Sequence, residues 1–324
     1  MYRKLMVPTD GSGFDRKAIL VALRIAERCK AKVVLVRVLT TRAYLETGTS
    51  GDRTASVKGA DGEYRAALSE LDRLAVECGN ISSAQVSTAL EEGPAADVLE
   101  RYARRNEIDL IVISSHSRHG FARASLGSVA DSLIRGTTIP VLVAKPNASY
   151  LTPQAAGGFR HIIVPLDGSG LAERILAQVV PLAKAEEAEV TLLHVLGPTD
   201  DPCESDDRRG VAWWEKRVAG INAYLTHRAH EIRQQGVAVA IDVVVGEKVA
   251  DAIIEYGRRE DADLIAIATH GRGGLARVAR GSVADDVLRS AMCSVLVFHP
   301  DRGNRSPALE NVSRKSCEDA TAFA

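Results

Sequence analysis

The chain of 324 residues lacks an excess of charge of either sign. Its 41 Lys and Arg stand against 42 Asp and Glu, a formal net charge of −1. A dedicated nucleic-acid binder needs a basic excess, so that class is set aside and no nucleic-acid partner is expected. Cysteine is scarce and scattered over Cys29, Cys78, Cys203, Cys293 and Cys317, with no CxxC pair and no histidine cluster nearby. That spacing speaks against a structural zinc site and for free thiols in a reducing compartment. No apolar stretch reaches the roughly 18 residues of a membrane span. The opening "MYRKLMVPTD" is basic, but its apolar run falls short of the about 7–15 residues of a secretory signal. The expectation is a cytoplasmic protein that engages no membrane.

What the chain does contain, it contains twice. "KLMVPTDGSG" (4–13) matches "HIIVPLDGSG" (161–170), and "KVVLVRVL" (32–39) matches "EVTLLHVL" (189–196). "ADVLERYARRNEIDLIVISSH" matches "ADAIIEYGRREDADLIAIATH"; "GSVAD" recurs unchanged at 127–131 and 281–285, and "PVLVAKP" matches "SVLVFHP". The repeat is far longer than a solenoid unit, and each copy is large enough to bury its own core. We expect domains at 1–146 and 160–300, a linker at 147–159 rich in small residues, and a disordered tail at 301–324.

Each half alternates short β-branched runs with segments of helical spacing. Leu5–Val7, Val33–Val38, Leu110–Ile113 and Val141–Val143 read as buried strands. In "RKAILVALRIAERCK", Ile19, Leu23 and Ala26 share one face, while Arg24, Glu27 and Arg28 share another. The pattern β-α-β-α-β-α-β-α-β predicts an α/β fold: two doubly wound domains, each a parallel sheet with helices on both faces. In such sheets ligands bind beyond the carboxyl ends of the strands, where the strand order reverses.

Two loops per half carry unusual residues at those ends. "VPTDGSG" and "VPLDGSG" follow the first strand. "SHSRHGFARASLGSVADSLI" (115–134) and "THGRGGLARVARGSVADDVL" (269–288) follow the fourth. The second of these contains no GK[ST], so it is not a P-loop. Its "GRGGLA" matches a dinucleotide fingerprint, but after the wrong strand, and the twin reads "SRHGFA". The copies share a later feature, Gly127-Ser128 and Gly281-Ser282, where a helix begins. Ser128 and Ser282 are expected as N-caps, with Asp131 and Asp285 at capping-box spacing. Such a start is either an anion site or a plain helix N-terminus after a glycine turn. Asp10 and Asp167 either accept hydrogen bonds from a sugar hydroxyl or base amino group, or serve as turn aspartates.

These residues resemble the universal stress protein family in its tandem, ATP-binding form. The marks are "VPxDGS", "LLHVL", "ADLI" before the fourth strand, and Gly-Ser before "PVLV" or "SVLV". The resemblance spans nearly everything except the linker, the loops after the second strands and the tail. It implies five parallel strands in the order 3-2-1-4-5 in each half, and ATP held by G-x-x-G-x9-G-[ST]. The second half reads Ala268-Thr269-His270-Gly271, nine residues, Gly281-Ser282, departing only at the first glycine. The first half reads Ser114-Ser115-His116-Ser117, nine residues, Gly127-Ser128, with serine at both leading positions. Two ATP sites are implied, the second more secure, with magnesium carried on the phosphates.

By position, the resemblance places Asp10 and Asp167 at the adenosine, Pro8 and Pro165 at the strand ends, and Val38 and Val195 against the adenine. Residues 114–120, including Arg118, His119 and Gly120, would wrap ribose and phosphates, as would 268–274, including Arg272, Gly273 and Gly274. Gly127, Ser128, Gly281 and Ser282 would hold phosphate. For the arginines a solvated surface role stays open, and for His116 and His270 a loop-bracing one. The implied function is nucleotide-dependent regulation with an unidentified protein partner and at most weak hydrolysis. A slow ATPase or nucleotidyl-transfer enzyme and a ligand-free pairing module are the alternatives. The apolar last strands imply pairing, between the two halves or between two chains.

Overall fold

A computed structural model of the chain describes residues 1–13, 15–40, 53–114, 127–145, 158–197, 207–269 and 282–300. The tail, nearly all of the linker, and 115–126 and 270–281 of the glycine-rich stretches lie outside these residues. The first half runs β1 (Lys4–Thr9), α1 (Arg16–Cys29), β2 (Lys32–Leu39), α2 (Arg53–Ile81), β3 (Gln85–Glu92), α3 (Ala95–Arg105), β4 (Leu110–Ser114), α4 (Ser128–Gly136) and β5 (Val141–Ala144). The second runs β6 (His161–Pro165), α5 (Gly170–Glu173), α6 (Leu176–Glu186), β7 (Glu189–Leu196), α7 (Asp207–Arg233), β8 (Ala238–Val245), α8 (Val249–Arg259), β9 (Leu264–Ala268), α9 (Ser282–Ser290) and β10 (Ser294–Phe298).

The strands form one ten-stranded sheet in the order β3-β2-β1-β4-β5-β10-β9-β6-β7-β8. Each half is parallel and doubly wound, with β1 next to both β2 and β4, and β6 next to both β7 and β9. The strand order therefore reverses at β1/β4 and again at β6/β9, where crevices open in such folds. β5 and β10 pair antiparallel, with Leu142 opposite Leu296. Each also pairs with a strand of its own half, so both edges of the two last strands are taken within the chain.

The inner strands are apolar on both faces because helices cover both. Leu5, Val7, Val33 and Leu35 pack into one core with α1, α2, α6 and α7. Met6, Val34 and Val36 point the other way, into a core with α3, α4, α8 and α9. This period-two division is what a parallel sheet buried on both sides requires. The outer strands β3 and β8 are only half-buried and carry polar residues such as Gln85, Ser87 and Asp242. Their weak apolar signal is why no residues stand out for them in the sequence.

The halves also meet through helices. Arg24, which helical spacing puts on the polar face of α1, is covered by the second half: Nε donates to Glu186 Oε1 at 3.2 Å and the guanidinium lies 4.7 Å from the Phe159 ring centroid. Tyr2 donates its hydroxyl to the Gln178 carbonyl. On the opposite face Arg135 of α4 binds Asp131 and Asp285, and Arg289 of α9 approaches the same two carboxylates at 3.6 Å. The arginine–aspartate ties of α4 and α9 use matched residues of the two copies, as a self-complementary interface does.

Candidate functional site

The first and sixth strands end in a turn that glycine makes possible. Gly11 and Gly168 sit at φ +74° and +82°, a region that disfavours side chains. Asp10 Oδ1 accepts from the Ser12 N–H at 2.9 Å, and Asp167 Oδ1 from the Ser169 N–H at 2.8 Å. Both aspartates are thus turn aspartates, and the turn fixes the direction of each carboxylate. At the Asp167 turn, Ser169 also caps the short helix that follows, accepting from the Ala172 N–H.

In the second half a cavity of about 360 Å³ opens at the reversal point. It brings together Pro165, Asp167, Val195, Ala268 and Thr269, five residues singled out by sequence. Leu166, Leu193, Val249, Ile253 and Ile267 supply apolar walls that motif reading did not name. Val283 and Ala284, in the first turn of α9 that Ser282 begins, complete it. The cavity therefore joins an apolar slot, one carboxylate and a helix start. That set suits a flat base, a hydroxyl or amino donor, and an anion.

The first half has Pro8 and Asp10 at the end of β1, Val38 on β2, Ser114 ending β4, and Gly127 and Ser128 at the start of α4. Here the expected capping is corrected. Ser128 is the first helical residue and Gly127, with extended backbone, is the N-cap. Asp131 does not close a capping box: its carboxylate is taken by Arg135 Nε at 2.9 Å and approached by Arg289. Charged donors outcompete a backbone N–H for it. A glycine cap offers no side-chain acceptor, so the first N–H groups of α4 are left to solvent or an anion.

The two linings differ. Asp15 Oδ2 accepts from the Thr9 hydroxyl at 2.7 Å and from the Asp10 N–H at 2.9 Å. Burial pushes the Asp15 carboxyl up, while the Thr9 and Asp10 hydrogen bonds pull it back. At the matching positions of the second half stand Leu166 and Ala172, both lining the cavity. The single-motif reading missed this pair; aligning the copies residue by residue through the turn would have shown it. Ser115, His116, Ser117, Arg118, His119, Gly120, His270, Gly271, Arg272, Gly273, Gly274 and Gly281 fall outside the described residues, as does the side chain of Ser282.

Comparison with known proteins agrees with this architecture. A model described as "Universal stress protein family" matches residues 1–145 and 158–299. The chain belongs to the universal stress protein family. It is 30% identical over 145 residues to a universal stress protein of Methanocaldococcus jannaschii, covering 45% of this chain and 83% of that one. A universal stress protein of Mycolicibacterium smegmatis is 24% identical over 311 residues, covering 91% and 97%. One from Mycobacterium tuberculosis is 30% identical over 194 residues, and the match spans only 62% of its length. Among solved structures, a universal stress protein from Archaeoglobus fulgidus superposes with a TM-score of 0.67 at 19% identity, covering 92% of this chain and 98% of that one. This universal stress protein thus carries two family domains in one continuous sheet, and none of its described helices is long and apolar enough to cross a membrane.

Proposed function

We propose that the protein is an ATP-binding regulator of the cytoplasm, in which nucleotide changes the surface offered to a protein partner. The observation that carries this reading is the cavity at the β6/β9 reversal. Its residues fit the nucleotide: Val195 and Ile267 would flank the adenine, Asp167 would accept from ribose or the base amino group, and the start of α9 would face the phosphates. Bound ATP would supply a polyanion at α9 and carry magnesium on its phosphates. The chain's own residues would bind and orient it. The first half offers the same frame with a more polar lining, so we place a second, weaker ATP site there. Turnover is slow or absent in this reading, since no nucleophile and base stand at readable spacing in the sequence.

Mass spectrometry of nucleotide released from gently purified protein tests the reading, together with calorimetric titration of ATP. About two ATP per chain, the second-half site tighter, is expected. No retained nucleotide and no measurable ATP affinity would overturn it in favour of a ligand-free pairing module. Phosphate or pyrophosphate release abolished by Asp167→Ala would show an enzyme instead.

A further inference from the structure

The ten-stranded sheet ends in two outer strands, β3 in the first half and β8 in the second. The bonds just past them show which backbone groups face out. Gly93 donates its N–H to the Leu39 carbonyl at 2.9 Å, and Gly246 to the Leu196 carbonyl at 3.0 Å. Directions alternate along a strand, so the N–H and C=O of Val86, Thr88 and Leu90 point away from β2. Those of Val239, Ile241 and Val243 point away from β7 in the same way. A row of outward groups is a template for another strand. We propose that β3 is the edge through which two copies of this chain pair, antiparallel, into one continuous sheet.

The second half blunts its edge and the first does not. Arg233 donates from Nε and Nη2 to the Val239 carbonyl, at 3.2 and 2.6 Å. The Val243 N–H is taken by Asp242 Oδ1 at 2.8 Å. That edge needs such cover, because "AVAIDVVV" is apolar and rich in β-branched residues. Laying Ala67, Leu71 and Cys78 of α2 on Ile221, Leu225 and Ile232 of α7 matches buried residue to buried residue. Gly79 then stands where Arg233 does, and Ala89 where Asp242 does, since Val86 and Val239 hold the same place in the ladder. Ser87 bonds inward, to the Val33 carbonyl, and Glu91 holds Arg105. Among the described residues no side chain bonds to the outward groups of Val86, Thr88 or Leu90.

The occupant that fits this edge is a second copy. About a two-fold axis at Thr88, β3 meets itself with Val86 opposite Leu90, Ser87 opposite Ala89 and Gln85 opposite Glu91. Apolar residues then face apolar ones, and no like charges oppose each other. The flanking helix agrees. Glu70 pairs with Arg37 and lies over Gly11, which turns its flank of α2 toward β1. Tyr64 and Leu68 stand about 120° and 160° around the helix from Glu70, on the flank toward the open edge. Both are exposed, as are Val76 and Ile81 of the same helix. At the positions of Leu68, Val76 and Ile81 the second half carries Asn222, His230 and Gln235. The chain's own seam follows the same plan: β5 and β10 pair antiparallel, and α1 meets α6 over one face.

Sedimentation equilibrium of the full chain, without added nucleotide, tests the proposal, and a dimer is expected at micromolar concentration. Thr88→Pro removes an outward N–H and leaves the ladder to β2 intact, so the chain should keep its circular dichroism and sediment as a monomer. Leu68→Glu, a change at an exposed position, should weaken the dimer about tenfold or more. Asn222→Glu, the same change on α7, should leave it unaltered. In a Cys203→Ser/Cys317→Ser background, Thr88→Cys should cross-link two chains under mild oxidation, because the axis brings the two residues within disulfide reach. Val243→Cys, on the opposite edge, should not. The proposal is overturned if the chain is a monomer at micromolar concentration, or if either Thr88→Pro or Leu68→Glu leaves the dimer intact. It is equally overturned if Asn222→Glu disrupts the dimer as strongly, or if Thr88→Cys fails to cross-link it.

Discussion

Thr9, Asp15, Arg37 and Glu70 of the first half stand where Leu166, Ala172, His194 and Tyr224 stand in the second. The first set is joined by hydrogen bonds and an ion pair. The second set leaves two cavities, one on each face of the sheet. The scaffold beneath them has hardly diverged: both halves share strand order, turn glycine and helix placement. A strand buried on both faces tolerates few changes, because each substitution disturbs a close-packed layer. The carboxyl-end turns and the rim of α2 or α7 are free to change. Duplication here has kept the frame and rebuilt the lining.

The largest expected effect lies at the seam, where the comparison can be broken outright. Arg24→Ala leaves Glu186 buried without its cation. The Glu186 carboxyl is already pushed up by burial, with Arg24 pulling it back. Removing one partner of a buried pair costs about 3–5 kcal/mol. Replacing both, as in Arg24→Met/Glu186→Leu, should recover most of that, because no charge remains to desolvate. Both tryptophans, Trp213 and Trp214, belong to the second half, so their fluorescence reports on that half alone. A lowered urea midpoint by tryptophan fluorescence in Arg24→Ala shows that the halves share stability. An unchanged one shows two independent domains.

Smaller effects sharpen the difference between the two proposed nucleotide sites. Asp167→Ala should weaken ATP at the second-half site about tenfold, the loss of a hydrogen bond to a charged acceptor. Asp10→Ala should act on the weaker site only. Thr9→Leu/Asp15→Ala gives the first half the lining of the second and removes a carboxylate from beside the turn. Two-site calorimetry should then show the weaker site tightening about threefold, a fraction of the Coulomb energy between charges near a protein surface. If that variant leaves the weaker site unchanged, the lining does not set the difference.

The frame of the site was legible in the sequence, and its lining was not. Apolar runs with helical segments between them announced the parallel sheet, and the repeated "DGSG" and "GSVAD" marked the ends where a ligand would sit. Asp167, Val195, Ala268 and Thr269 come together because strand order brings the ends of β6, β7 and β9 side by side. Three features stayed hidden. Ser128 looked like a cap, yet its backbone is already helical and the extended Gly127 takes that place, while Asp131 is drawn off by arginines from two helices. Arg24 looked like a polar-face residue because helical spacing cannot show a neighbour 162 residues away. Cavity-lining residues such as Ile253 and Tyr224 come from helices whose packing register is set only in three dimensions.

The finest comparison concerns the residues just after the two last strands, Lys145 after β5 and His299 after β10. Both are buried at the seam. Lys145 Nζ donates to the Ala291 carbonyl at 2.7 Å, and His299 Nδ1–H donates to the Thr269 carbonyl at 3.2 Å, where the second glycine-rich stretch begins. Burial lowers both, Lys145 from 10.5 to about 8, and His299 below 6.5, with Arg135 adding to the push. Each is a base that resists its proton more in the folded chain than in the unfolded one. As pH falls from 10.5 to about 8, the unfolded chain takes up the Lys145 proton first and stability declines, then levels. As pH falls below 6.5, His299 repeats the pattern. One proton changes stability by at most about 1.4 kcal/mol per pH unit, so near pH 7 neither slope is steep. Urea midpoints across pH should show two declining limbs. Lys145→Gln should flatten the alkaline one and His299→Gln the acid one, each leaving the other in place. An acid decline that survives in His299→Gln would belong to carboxylates held below their usual range, such as Glu255 beside Arg258, because Asp15 and Glu186, raised by burial, make stability rise with acid instead.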